Sequence, residues 1–408
     1  MRTDDGVPLK LALKRAERSH NIRALALVAP LFLFILLTFA APIGTLLFRA
    51  VHDPDLATNL PATTQALMDW TGKGLPDEPV YAAFAADLKQ AQENKTVGQI
   101  GKRLNYEISG TRSKVMSTSR VIVKLQNGPY KDAFLKQDPL WSNPDVWTIL
   151  KRETKPFTGF YLLAALDHRI DATGRIVPMA PDQSIFIDIF MRTLWISLLV
   201  TAATLVLGYP VSYLLASLPT RTSNLLMILV LVPFWTSLLV RTTAWVVLLQ
   251  TNGVINDLLI WLGLIHERVQ LIFNRGGTVL AMTHIQLPFT ILPIYSVMKT
   301  ISPNYMRAAR SLGAGPFYSF WRIYFPQTIP GIGAGCLLTF ILSLGYYITP
   351  ALVGGPADQM ISYFVALYTN TELNWGMASA LGALLLVMTL ILYFVYNRLV
   401  GIDKVKLG

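Results

Sequence analysis

The sequence holds a single cysteine, Cys336, among its 408 residues. It lies inside an apolar run, so the chain has neither a disulfide nor a thiol set for zinc within itself, and the redox compartment is unreadable. Charge is scarce too. Asp, Glu, Lys and Arg make up 14% of the chain against 53% hydrophobic residues, whereas a soluble domain carries roughly 25% charged residues. That excludes the ordinary soluble class and sorts the chain with membrane proteins. The apolar runs contain no aspartate or glutamate; Asp188 and Glu372 only flank their ends. A phosphate-binding loop is also missing. Gly98-Gln-Ile-Gly101-Lys102-Arg103 and Thr71-Gly-Lys-Gly74 both fail the glycine spacing followed by Lys-Ser/Thr that wraps phosphates. His20, His52, His168, His266 and His284 have no metal-ligand spacing and read as structural. With no paired carboxylates and no nucleophile beside a base, enzyme chemistry has no foothold here.

What is present is length and apolarity. A helix needs about 20 apolar residues to cross a bilayer core of ~30 Å. Six segments qualify: Ala24 to Phe48, Thr193 to Leu218, Leu225 to about Gln250 with Arg241 inside, Gly276 to Met298, Gly331 to about Leu352, and Leu373 to Asn397. The first is 25 residues long with no clear small-residue cleavage site after it, so it is expected to stay as an anchor. The net charge of +11 is spread just outside these runs, where basic residues fix topology, rather than gathered into a nucleic-acid patch. Arg2, Lys10, Lys14, Arg15, Arg18 and Arg23 precede span 1, Arg221 lies between spans 2 and 3, Lys299, Arg307, Arg310 and Arg322 follow span 4, and Arg398, Lys404 and Lys406 close the chain. Six spans with these groups on one side put both termini in the cytoplasm. Arg268 and Arg275, in an outside loop, oppose this weakly.

The chain divides accordingly into a cytoplasmic basic tail (1–23), a first transmembrane helix (24–48), an inserted segment (49–184) and a five-span core (185–408). The inserted segment is different in kind, with 17 basic and 15 acidic residues, a helical stretch from Tyr81 to Glu93 and a β-like run from Arg120 to Leu125. Its 136 residues can bury a modest core. Long loops translocate regardless of charge, so it is expected outside the cytoplasm.

The most informative segment runs from Ser302 to Pro326, within a loop at about 300–330. Ser302-Pro303 is a helix start, Gly313 a left-handed stop, and a second helix restarts at Pro316 and is expected to end at Pro326. Phe317, Phe320, Trp321 and Tyr324 follow helical spacing and read as one apolar face. Two short helices joined at a glycine turn make a knob suited to a groove on a partner. The same pattern also reads as an amphipathic loop on the lipid surface.

Ala308, Ala309, Gly313, Ile323 and Pro326 give this segment a resemblance to the EAA loop of ABC importer permeases. That pattern has Glu-Ala-Ala, a glycine four residues on, nine residues, isoleucine, any residue, and Leu-Pro. Arg307 replaces the glutamate and Phe325 the leucine. Pro233-Phe-Trp-Thr-Ser-Leu-Leu-Val-Arg-Thr-Thr-Ala-Trp245, followed by Asn252-Gly-Val-Ile-Asn256, is similar to the third span of spermidine/putrescine permeases of the PotB type. Gly345-Tyr-Tyr-Ile-Thr-Pro-Ala-Leu-Val-Gly-Gly355 is similar to their fifth-span ending. The resemblance covers roughly Ile185 to the carboxyl end and leaves the inserted segment outside it.

It implies an all-α, six-helix permease bundle in the bacterial inner membrane. It also implies a second homologous permease, a dimer of cytoplasmic ABC ATPases and an extracytoplasmic substrate-binding protein. The chain itself would be a transport subunit without a cofactor, ATP and magnesium belonging to the ATPase. A polyamine such as spermidine or putrescine is the solute implied; an amino-acid derivative, opine or phosphonate is the alternative, since a polyamine path prefers acids that these spans lack.

Breaks in spans are tolerated where a cavity or a neighbour re-satisfies the backbone. Pro233, Pro288, Pro293, Pro350, Gly345, Gly354 and Gly355, with Tyr346 beside them, are therefore candidates for the path or for packing alone. Arg241, inside a span, is expected to face protein or water. Trp245, one turn on, either stacks on a cation or belongs to the aromatic belt. An ion-coupled secondary transporter would call for intramembrane acids, which are missing. A membrane scaffold using its inserted segment as a receptor is the remaining rival.

Overall fold

The structure is a computed structural model that describes residues 9–400. Arg2, Lys404 and Lys406 lie outside the described residues, as do the side chains of Lys10, Lys14, Arg15, Arg18, His20 and Arg23. Among the described residues five helices are long and apolar enough to cross a membrane: Ala24–Arg49, Phe186–Ser217, Arg275–Thr300, Pro316–Leu344 and Trp375–Arg398. A bent pair, Thr220–Trp235 and Leu238–Leu249, supplies the sixth and is numbered here as span 3.

Several of the expected boundaries move. Span 2 starts at Phe186, ahead of Thr193, which brings Asp188 into its first turn. Span 3 is not one helix from Leu225 to Gln250 but turns by 95° at Thr236 and Ser237. Both residues are extended, with ψ of 148° and 154°, after a 3-10 turn at Val232–Trp235 that contains Pro233. Span 5 starts at Pro316, fifteen residues before Gly331, and stops at Leu344, not Leu352; Ile348–Val353 is a separate short helix. Span 6 begins at Trp375 because Leu373 adopts a left-handed φ of +50° in the preceding turn.

Spans 2, 4 and 5 form the interior of the bundle. Lipid tails give helices no hydrophobic drive to associate, so close backbone approach and polar contacts must hold them together. Gly331 and Gly335 provide the approach. A Cβ at Gly335 would lie 2.8 Å from the Thr290 carbonyl oxygen of span 4, and one at Gly331 3.1 Å from that of Pro293. Thr290 and Thr339 share a hydroxyl hydrogen bond at 2.7 Å, and the Ser343 hydroxyl donates to Gln286 Oε1 at 2.8 Å. Pro288 and Pro293 lie within span 4, Pro288 fully buried. Span 6 is tied in by the Tyr396 hydroxyl, which donates to the Gly333 carbonyl.

Residues between spans 1 and 2 fold into a helical unit with its own core. The helix Glu78–Glu93, which contains the expected Tyr81 to Glu93 stretch, buries Tyr81, Phe84 and Leu88 against Phe134, Trp141 and Trp147. Tyr81 and Trp147 meet edge to face at 4.5 Å, and the Trp141 indole donates to Thr118 Oγ1 at 2.9 Å. The β-like run from Arg120 to Leu125 is helical through Ile122. Burial of Val115, Thr118, Ser119 and Ile122 on one face overrides the β-branched composition. Among the described residues the strands are limited to a short antiparallel pair, His168–Ile170 with Ile176–Pro178.

Beneath that core lies a buried ionic network. The Arg103 guanidinium, 3% exposed, pairs with Asp53 at 2.6 Å and with Glu153, and stands 3.6 Å from Glu107; Arg152 pairs with Glu107 at 3.0 Å and Glu153 at 2.6 Å. Burial, then the neighbouring Glu153, pushes Glu107 up to about 7 against the pull of both arginines. With Glu107 protonated, the five groups carry two charges of each sign.

Replacing Gly335 by valine should cost on the order of 1–3 kcal/mol by forcing spans 4 and 5 apart, read as a lower melting temperature of the purified chain. Gly44→Ala, where an added Cβ meets nothing within 4 Å, should leave it unchanged or slightly raised. The network gives a pH test. Folded Glu107 keeps its proton to about pH 7 while the unfolded side chain loses it near 4.5, so stability should fall as pH rises through that window. Glu107→Gln should flatten this slope in thermal melts between pH 5 and 8; an unchanged slope would remove Glu107 as its source.

Candidate functional site: the knob and the broken span

The knob is built as the glycine and proline punctuation requires. Its first helix, Asn304–Ser311, ends in a Schellman motif: Ala314 N–H donates to the Ala309 carbonyl at 3.0 Å and Gly313 N–H to that of Arg310 at 3.0 Å. Gly313 takes the left-handed φ of +88° that the motif needs. At the first turn Pro303 takes the cap position, and the Ser302 hydroxyl just before it accepts from Asn304 N–H at 3.4 Å. Ala309 is buried, while Arg307 and Ala308 are exposed.

The second helix does not end at Pro326. Pro316–Ser319 passes into a π-helical segment, Phe320–Tyr324, and on into Phe325–Leu344, making one span 29 residues long. In the π segment Phe325 N–H donates to the Phe320 carbonyl, five residues back. The Gln327 side-chain amide donates to the Ile323 carbonyl at 2.6 Å. A proline directly after the wider turns therefore interrupts less of the ladder than in a regular α-helix.

The π turns also split the apolar face expected of Phe317, Phe320, Trp321 and Tyr324. Phe320 packs edge to face on Tyr213 of span 2 at 5.6 Å and stacks on Tyr324 at 5.9 Å; Tyr324 meets Tyr213 at 5.5 Å. Tyr209 adds contacts to Phe320 and Phe325. Phe317, 76% exposed, and Trp321 instead turn outward. Leu312, beside Gly313, is 90% exposed, and Tyr305 and Tyr318 join it on the outer surface. Those three were passed over in the sequence, although an apolar residue at a helix C-cap on a polar loop is itself a signal. Ile323 is half-buried and Pro326 exposed.

The other candidates gather around the break in span 3. Ser237 restarts the helix, its hydroxyl accepting from Val240 N–H at 3.2 Å. One turn on, the Arg241 guanidinium lies 5.8 Å over the Phe234 ring; its buried Nε has no hydrogen-bond partner among the described residues. Phe234 meets Phe289 of span 4 at 4.9 Å. The Trp245 indole donates to His284 Nδ1 at 3.1 Å, which puts the proton of a neutral His284 on Nε2. Thr242 shares a hydrogen bond at 3.0 Å with Thr349, bringing the short helix with buried Pro350 against the same segment. Tyr346 is half-buried against Met282 and Met360, just after Gly345 caps span 5. Pro288 is packed inside the bundle. His284, read as structural from spacing alone, is thus part of this polar and aromatic cluster. Gly354 and Gly355 are buried where carbonyl oxygens pass; a Cβ at Gly355 would lie 2.7 Å from that of Phe273.

Comparison with known proteins bears on the same half of the chain. The family profile described as binding-protein-dependent transport system inner membrane component matches residues 208–402. The spermidine/putrescine transport system permease protein PotB of Escherichia coli is 33% identical over 214 residues, 52% of this chain and 78% of its own length. The inner membrane ABC transporter permease protein YdcU of the same organism is 32% identical over 228 residues, 52% and 72%. A solved bacterial alginate ABC transporter superposes with a TM-score of 0.44 at 19% identity, covering 52% of this chain and 77% of that one. The chain therefore belongs to the binding-protein-dependent transport system inner membrane components, as a multi-pass ABC importer permease of the PotB type and a transport subunit rather than an enzyme.

Proposed function

We propose that this permease forms half of a translocation path for a small polar solute and works by alternating access with a second homologous permease. A separate ATPase dimer would dock on the knob, and a substrate-binding protein would deliver solute at the opposite end, where residues 49–184 lie. The basic groups around the knob and before span 1 support a cytoplasmic position for that end and for both termini. The observation that carries the docking assignment is the outward face of Phe317 and Trp321, on the helix continuous with span 5, with Leu312 exposed at the end of the helix before the Gly313 turn. An apolar anchor on a rigid helix suits insertion into a groove. Arg307 stands where the family pattern has glutamate, so the apolar anchors rather than that ion pair are taken to hold the partner.

The solute of the similar PotB proteins, spermidine or putrescine, supports a polyamine here. The scarcity of acids in the spans, where Asp188 in the first turn of span 2 is the one acid among the described residues, favours a second reading, an amino-acid derivative, opine or phosphonate. The cluster of Arg241, Trp245 and His284 beside the broken span is assigned to the path in either case. A broken helix in lipid needs protein or water around its freed backbone groups, and an intramembrane arginine needs the same.

In cells expressing the whole importer, Leu312→Asp combined with Phe317→Asp should abolish co-purification of the ATPase and vanadate-sensitive uptake. The permease's melting temperature should not change, since exposed substitutions usually cost under about 0.5 kcal/mol. Retained ATPase with normal uptake would defeat the docking assignment, and uptake persisting without any ATPase would defeat the importer reading as a whole.

A further inference from the structure

The inserted unit rests on the membrane bundle around a cavity of about 500 Å³, whose lining lies outside the region that matches the family except for Leu373 to Gly376. Four pieces of chain meet there: the end of span 1 with the connector to Asp55, the helix Val97–Glu107, Tyr161 of the helix Phe160–Ala164, and the turn into span 6 from Leu373 to Gly376. The joint is closely fitted. Lys102 Nζ donates to the Glu372 carbonyl at 2.7 Å and to that of Leu373 at 3.3 Å. Tyr161 lies so near span 6 that a Cβ on Gly376 would be 2.5 Å from its Cζ, and its hydroxyl donates to Asp53 at 2.6 Å.

The charges on the cavity wall are spent unevenly. Lys102 is taken by carbonyls, and Asp53 and Arg103 by each other and by the network below. Arg49 and Asp55 are different: neither has an ion pair, nor a hydrogen bond through its side chain, among the described residues. The Arg49 guanidinium carbon lies 5.4 Å over the centre of the Trp375 ring, a contact that leaves its N–H donors without an acceptor among the described residues. Asp55 offers a carboxylate whose backbone N–H is already turned to Asp53 at 3.2 Å. Asp55 is exposed at the mouth of the cavity; partial desolvation by its surroundings, then the nearby Asp53, hold its carboxyl above the ordinary value. One free cation and one free anion thus line the same space without pairing, with Trp375 and Tyr106 as aromatic walls.

We infer that this cavity is a binding site for a compact zwitterion, its ammonium held by Asp55 and its acidic group by the edge of Arg49. The volume lies within the range of small-molecule sites, roughly 300–1,000 Å³. Such chemistry comes from two sources, a free amino-acid-like solute or the headgroup of an amine-bearing phospholipid at the level where spans 1 and 6 leave the membrane. An occupant bridges the inserted unit to the first turn of span 6. The inference stands independently of the transported solute, because the site lies outside the cluster at Arg241.

The test uses the full chain in nanodiscs of phosphatidylcholine, which has no primary amine. O-phosphoethanolamine and a panel of free amino acids are titrated, with ethanolamine and inorganic phosphate as single-charge controls. A saturable rise in melting temperature is expected for probes bearing both groups and not for the controls. Asp55→Asn and Arg49→Gln should each weaken the response about tenfold or more, the scale of a charge-assisted hydrogen bond. Arg49→Lys, which keeps the charge, should fall between wild type and Arg49→Gln, and the unliganded melting temperatures should all match wild type. In phosphatidylethanolamine nanodiscs, a lipid occupant is retained in native mass spectra of the wild type but not of Asp55→Asn and blocks the soluble probes, whereas a free-solute site responds equally in both lipids. No saturable shift with any probe and no retained lipid would overturn the site, as would equal shifts with the single-charge controls or responses that survive both charge-removing variants.

Discussion

The closeness of span 5 to span 4 governs how the rest of the membrane half is arranged. In lipid no water completes a backbone hydrogen bond and no hydrophobic drive presses helices together. Contact must come from small residues, and Gly331 and Gly335 supply it at the Pro293 and Thr290 carbonyls of a helix whose prolines already leave backbone acceptors without amide partners. Thr339 and Ser343 then reach Thr290 and Gln286 from the same face. Span 2 packs on this pair, its Ser212 hydroxyl 3.3 Å from the Ile291 carbonyl. The solitary cysteine, Cys336, is simply the residue after Gly335, partly buried on this tightly packed helix.

A fixed span 5 gives the knob its mechanical meaning. The helix that starts at Pro316 runs without a break into the bundle, and Tyr209 and Tyr213 brace its π segment against span 2. The wider turns accomplish two things. They carry Pro326 through the helix, and they rotate Phe320 and Tyr324 inward while Phe317 and Trp321 stay outside. A push on the outward residues would therefore move spans 2, 4 and 5 together. At the opposite end the breaks are of another kind: extended Thr236 and Ser237, and the stop at Gly345, free segments of spans 3 and 5 to place Arg241, Trp245, His284 and Thr349 in one region.

The six apolar runs were legible in the sequence because crossing lipid imposes a length and forbids charge, and the knob was legible because Gly313 and Pro316 have few other uses in that order. The inner ends of spans were not. Pro326 reads as a stop unless the π segment before it is known, and nothing in Phe320 to Tyr324 announces five-residue turns. Arg120 to Leu125 reads as a strand by its β-branched residues, yet the buried face of Thr118 and Ile122 makes it helical. Pairing between distant segments was beyond reach as well. Lys102 on the carbonyls before span 6, Tyr161 over Gly376 and Trp245 with His284 join residues separated by 39 to 271 positions, and no local pattern records them.

The account's central claim is that knob and span 5 move as one body. With Cys336→Ser as background, spin labels at 311, exposed at the end of the first knob helix and outside the apolar anchors, and at 338 would report that distance in the assembled importer, without nucleotide and trapped with ATP and vanadate. The account predicts the same distance distribution in both states while the distance from 311 to its counterpart in the second permease changes. A distance between 311 and 338 that shifts or broadens on trapping would show a hinge between them, at the Gly313 to Gly315 turn or in the π segment, and contradict it.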